Sequence, residues 1–118
     1  MSDEPEKKSK TTLTGNPPAD GHWDGPAPAP VDPVTKQHGD HWVLPAEDRA
    51  KGLVRPVRVS YRHEKCGTIT TMPKPIAETY AKTPSFYGTT FCCGCQKYLP
   101  VGGTGEFVWL DDGSKVGT

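Results

Sequence analysis

The residues able to do chemistry lie in two short runs. His63, Glu64, Lys65 and Cys66 form an H-x-x-C pair. After 25 intervening residues (67 to 91), Cys92, Cys93, Gly94 and Cys95 supply a C-x-x-C pair. Two residues between ligands let a tight turn aim both side chains at one point and turn backbone amides toward the sulfurs. Two such turns facing each other make a closed tetrahedral site of soft donors, which suits one structural Zn2+ ion. The spacing therefore nominates His63, Cys66, Cys92 and Cys95 as ligands. Gly67 and Gly94 stand where the chain must turn sharply and a Cβ would be costly.

Other chemistries of the same residues fit less well. A disulfide reading needs an oxidising compartment. A redox C-x-x-C needs a βαβ setting, and no such alternation is visible. A zinc deaminase carries H-x-E and P-C-x-x-C, but here Glu64 directly follows His63 and Phe91 replaces the proline. A metalloprotease H-E-x-x-H fails because Cys66 stands where the second histidine belongs. Cys93 could pair with Cys95 as C-x-C, but Cys92 gives the commoner spacing, so Cys93 is read as a small thiol outside the site. His38 and His41 also have ligand spacing. With a full ligand set already present, they read as surface histidines.

These ligands need short elements to position them. Val57, Val59 and Tyr61 alternate with Arg58, Ser60 and Arg62, which predicts a strand with the first set inward and the second outward. Ile69–Thr71 favours a returning strand. Residues 75–82 predict a helix of about two turns, with Ile76, Ala77 and Tyr80 on one face and Pro84 beyond its end. Residues 45–51 predict one or two helical turns, with Pro45 first and Gly52 as the stop. Phe86, Tyr87 and Phe91 supply aromatic bulk for the core. Residues 98–101 predict a short strand. Residues 106–116 predict a hairpin turning at Asp112 and Gly113. The glycine cluster from Gly102 to Gly105 lacks the lysine and helix of a phosphate loop.

Composition sets the limits. The 118 residues include 13 Gly and 13 Pro, only 33% are hydrophobic, and the net charge is zero. That suffices for one small domain with a metal staple, with part of the chain outside it. Residues 1–37 are polar, then rich in proline from Pro17 to Pro33, and predict a disordered acidic tail. Trp23 in that tail is either a docking anchor or an incidental aromatic. Residues 38–118 form the expected zinc-binding domain. The charge is uneven: residues 1–50 carry five Lys/Arg and nine Asp/Glu, and residues 51–118 carry nine and five. No signal peptide or membrane span is evident, so the expected location is cytoplasmic, the host cytoplasm if the protein is phage-encoded.

Two resemblances follow from these residues. Paired turns on short strands over residues 57–110 resemble a zinc ribbon or a related treble-clef-like zinc domain, which implies a small α+β fold with short strands and one short helix. The run from His41 and Trp42 through Gly52, then Arg55 to Arg58, then Tyr61, His63, Cys66 and Gly67, resembles small uncharacterised proteins of tailed-phage and prophage genomes. So do Ile76 to Ala81, Phe86 to Gly88, Thr90 to Cys92 and Glu106 to Trp109. This resemblance covers residues 38–118 and implies a phage setting and a zinc site, with no reaction attached.

The expectation is a non-enzymatic, zinc-stabilised binding module, a phage or prophage accessory protein that binds a protein partner or nucleic acid. The alternative makes nucleic-acid binding the main role, through a basic strand and its flanks: Arg55, Arg58, Arg62 and Lys65, with Lys51 nearby.

Overall fold

The structure is a computed structural model, and it describes residues 10–21, 23 and 27–118. Among the described residues, nine elements follow one another: β1 (Thr11–Thr12), β2 (Trp42–Val43), α1 (Ala46–Arg49), β3 (Ser60–His63), β4 (Ile69–Thr71), α2 (Lys74–Lys82), β5 (Thr89–Cys92), β6 (Lys97–Pro100) and β7 (Phe107–Trp109). They form a small α+β domain with three antiparallel sheets. β4-β3-β7 is three-stranded, while β5-β6 and β1-β2 are two-stranded.

The core forms where α2 packs over the three-stranded sheet. Within α2, Ile76, Ala77, Tyr80 and Ala81 recur at helical spacing, and all four are buried. Pro75 fits the first turn, where its missing N–H costs nothing. Pro84 disfavours helix at Thr83, and the helix stops there. From the sheet side come Tyr61, Phe107 and Trp109, with Tyr61 edge-on to both of the others. Phe107 and Val116 are almost completely buried, and each contributes about 1.5–3 kcal/mol relative to exposure. Thr79 is fully buried inside the helix: its hydroxyl donates to the Pro75 carbonyl and accepts the Leu44 amide, tying the β2–α1 segment to α2.

The terminal hairpin forms as the sequence predicts. Val108 bridges Lys115, Val116 N–H donates to Phe107, and Gly113 takes a φ of 73° at the turn. Its inner strand, β7, also pairs with β3, placing His63 opposite Phe107.

Two expectations need correction. The alternating strand was counted from Val57, but β3 begins at Ser60. Before Ser60 the inside-outside alternation breaks, although the Val59 carbonyl still accepts the Met72 amide. Arg58 therefore turns inward at 5% exposure, and Val59 turns outward at 38%. The second concerns residues 1–37. Residues 1–9, 22 and 24–26 lie outside the described set. Of the others, Thr11–Thr12 pairs with Trp42–Val43, and Thr14 binds the buried Asp40 carboxylate through both its amide and its hydroxyl. Trp23 lies 5.7 Å from the Trp42 ring. Backbone pairing and these side-chain contacts seat Thr11, Thr12, Thr14 and Trp23 on the domain. Among the described residues, no helix is long and apolar enough to cross a membrane.

Candidate metal centre

Each half of the site is a β-hairpin. In the first, β3 delivers His63 as its last residue, the chain turns through residues 64–67, and β4 leads away. In the second, β5 delivers Cys92 as its last residue, and β6 follows Cys95. The two turns are built alike. The Gly67 amide donates to the His63 carbonyl at 2.7 Å, and the Gln96 amide to the Cys92 carbonyl at 2.7 Å. In each turn the residue after the second ligand is left-handed, Gly67 at φ 78° and Gln96 at φ 56°. Glycine takes that conformation freely, while a Gln is held there by the surrounding turn. Amides are aimed at sulfur in both: Thr68 N–H toward Cys66 Sγ at 3.5 Å and Cys95 N–H toward Cys92 Sγ at 3.4 Å.

The two turns converge. One nitrogen and three sulfurs, from His63, Cys66, Cys92 and Cys95, all lie within 4.8 Å of one another. His63 Nδ1 is 3.2 Å from Cys66 Sγ and 3.6 Å from both Cys92 Sγ and Cys95 Sγ. Cys66 Sγ is 3.5 Å from Cys92 Sγ. Bonds of about 2.3 Å to sulfur and about 2.0 Å to nitrogen in a tetrahedron put neighbouring donors about 3.5–3.8 Å apart, so these donors fit around a single metal ion. The sequence spacing and the geometry nominate the same four residues. Cys93 is exposed and stands outside the group, its amide donating to Thr70 Oγ1.

The rest of the surroundings favours a cation. Hydrogen bonds from Thr68 hold the Cys66 thiol down at about 6. Burial and the neighbouring Cys92 and Cys66 sulfurs push Cys95 up to about 11. A first thiolate forms readily and a further one is resisted, which is the electrostatic situation a metal relieves. Sequence reasoning missed Glu106. Its Oε1 lies 2.7 Å from His63 Nε2, the ring nitrogen turned away from the sulfurs. That contact raises the His63 pKa, while burial opposes it. A carboxylate behind a ligating histidine fixes the tautomer and sharpens the donor. Glu106 in turn lies 3.0 Å from Lys65 Nζ. Glycine matters at position 94 for a different reason from that at 67: a Cβ there would fall 2.2 Å from Thr68 Oγ1 and 3.2 Å from Cys66 Sγ.

The basic residues do not form one face. Arg58 donates to Asp112 Oδ2 at 2.9 Å and Ser114 Oγ at 2.8 Å, beneath the Trp109 ring. Lys65 pairs with Glu106, and Arg55 reaches the backbone carbonyls of Val54 and Thr118. Arg62 is exposed on β3. His38 and His41 are half-buried against Tyr98, and neither belongs to the cluster.

Compared with known proteins, the chain matches no protein-family model, no curated protein and no solved structure.

Proposed function

We propose that this chain is a non-enzymatic binding module whose fold is held by one structural zinc ion and whose partner is a protein. The convergence of His63, Cys66, Cys92 and Cys95 carries the reading. Four protein donors complete a tetrahedron and leave no open coordination position for a substrate or an activated water, so the metal's role is to hold β3–β4 against β5–β6. When bound, zinc supplies the attraction that lets three sulfurs share one small volume. Twin turns on two hairpins are also what a zinc-ribbon-like domain requires. The resemblance of residues 38–118 to tailed-phage and prophage proteins supports a role as a phage accessory protein in a host cytoplasm.

A protein partner is preferred to nucleic acid because of where the arginines go. Phosphate binding through this strand needs Arg55, Arg58, Arg62 and Lys65 on one exposed face. Two of the four are paired with acidic side chains, and Arg58 is buried.

The test is metal content and its consequence. Protein purified without added metal should carry one zinc per chain by elemental analysis, and a strong chelator should collapse its dispersed amide NMR spectrum. Iron in place of zinc would change the metal assignment, and a spectrum unaltered by chelation would remove the structural role.

A further inference from the structure

Away from the metal centre, a cleft of about 470 Å³ opens beside β2 and the β5–β6 hairpin. That is the size of a pocket for a small organic ligand. Trp42, Tyr87 and Tyr98 line it with rings, and Lys10, His38 and His41 line it with nitrogen.

The hydrogen bonds fix what those nitrogens present. His38 Nδ1 lies 2.7 Å from the Ala29 carbonyl, which can only accept, so Nδ1 carries a proton and Nε2 is left over. Tyr98 Oη accepts the His38 amide at 3.0 Å and lies 2.9 Å from His41 Nε2. Lys10 Nζ stands 4.3 Å from the centre of the Trp42 ring. Asp40, next to His41 in the chain, is buried and already accepts the Thr14 amide and hydroxyl and the His41 amide. Burial and then His38 push the His41 pKa down, with Asp40 opposing them. Nitrogen-bearing side chains thus share one cleft with aromatic rings, and Asp40 beside His41 is turned to other work. An anion entering there would meet the Lys10 ammonium, while its body lay against the rings.

We infer that this cleft binds a carboxylate carried on a flat apolar group, with Lys10 facing the anion and Tyr87 and Tyr98 facing the ring. Two sources present that chemistry: a free aromatic acid, or the C-terminal aromatic residue of a protein. Only the second rests on the reading of the chain as a protein-binding module.

Full-length, metal-loaded protein would be titrated with 3-phenylpropionate and with a short peptide ending in a free C-terminal Phe, each against its neutral amide. Amide NMR shifts at Trp42, Tyr87 and Tyr98 give the site and the affinity. Each binding acid should exceed its amide by about tenfold, the effect of one charge-assisted contact. Lys10→Met should remove most of that preference and Lys10→Arg should restore it. Binding of the free acid alone assigns a small-molecule site, and binding of the peptide acid assigns a partner's C-terminus. The proposal is overturned if neither acid binds, if the amides bind equally well, or if Lys10→Met keeps the full preference. Metal content measured on the same samples separates this from the zinc reading: a chain without zinc that still prefers acid to amide retains the cleft and loses only the metal.

Discussion

His63 uses both ring nitrogens. Nδ1 joins the three sulfurs at 3.2–3.6 Å, while Nε2 lies 2.7 Å from Glu106 Oε1. Because an ionised carboxylate only accepts, Nε2 must carry the proton, and Nδ1 is left with its lone pair toward the metal position. Glu106→Ala should therefore weaken metal binding by about 10- to 100-fold without removing a ligand. Competition against a chromophoric chelator measures it. Glu106→Gln, which keeps an oxygen to accept from Nε2, should fall between the two. An alanine variant with unchanged metal affinity would show that the carboxylate serves only its ion pair with Lys65.

Glycine at position 94 is a steric requirement of the same site. A methyl group there meets the Thr68 hydroxyl at 2.2 Å, too close for Thr68 to keep its rotamer. Thr68 is also what holds the Cys66 thiol low. Gly94→Ala should weaken metal binding by about tenfold or more, whereas Gly88→Ala, whose new methyl meets nothing within 4 Å, should leave it unchanged. Equal affinities for the two variants, by the same competition, would mean that Thr68 rearranges freely.

Arg58 belongs to the stability of the domain. Its guanidinium lies 4.8 Å from the Trp109 ring centre, and it joins residues 58, 112 and 114 across the terminal hairpin. Arg58→Ala loses buried packing and two hydrogen bonds and should cost about 1–3 kcal/mol, read as a lowered urea midpoint. Arg62→Ala, exposed on β3, should change stability by less than about 0.5 kcal/mol. A stable Arg58→Ala protein that had lost affinity for nucleic acid would reinstate the basic strand as a binding face.

The difference between what the sequence discloses and what it conceals follows from distance along the chain. His63, Cys66, Cys92 and Cys95 are legible because each pair is set by a local turn whose spacing is a chemical rule. Helix α2 is legible because Ile76, Ala77 and Tyr80 mark a face by themselves. Glu106 is hidden: it reaches His63 only because β7 pairs with β3, and nothing local announces that pairing. Arg58 misleads because the alternating pattern from Val57 runs three residues ahead of the start of β3 at Ser60. The β1 strand misleads for another reason. Polar, proline-rich composition argues against a self-standing core, but Thr11–Thr12 needs no core of its own, since it borrows the edge of Trp42–Val43.

The tyrosines give a test of the packed core that does not involve the metal. Burial pushes Tyr61 up to about 12, against a weaker opposing hydrogen bond from Thr90. Burial likewise raises Tyr80, Tyr87 and Tyr98 above the ordinary value of 10.0. All four tyrosines of the chain are thus harder to ionise folded than unfolded. The sign follows: the native state holds these protons more tightly, so their contribution to stability is complete below pH about 10 and is lost as pH rises through the folded values. Ultraviolet titration should show little tyrosinate near pH 10, then a cooperative rise that coincides with loss of the folded circular-dichroism signal. The Tyr61 hydroxyl donates to the buried Phe91 carbonyl at 2.6 Å, so Tyr61→Phe leaves that acceptor unpaired and should cost about 1–3 kcal/mol. Three or more tyrosines titrating freely near pH 10 in the folded protein would contradict the packing of α2 against the β3 sheet, because Tyr61, Tyr80 and Trp109 form its centre.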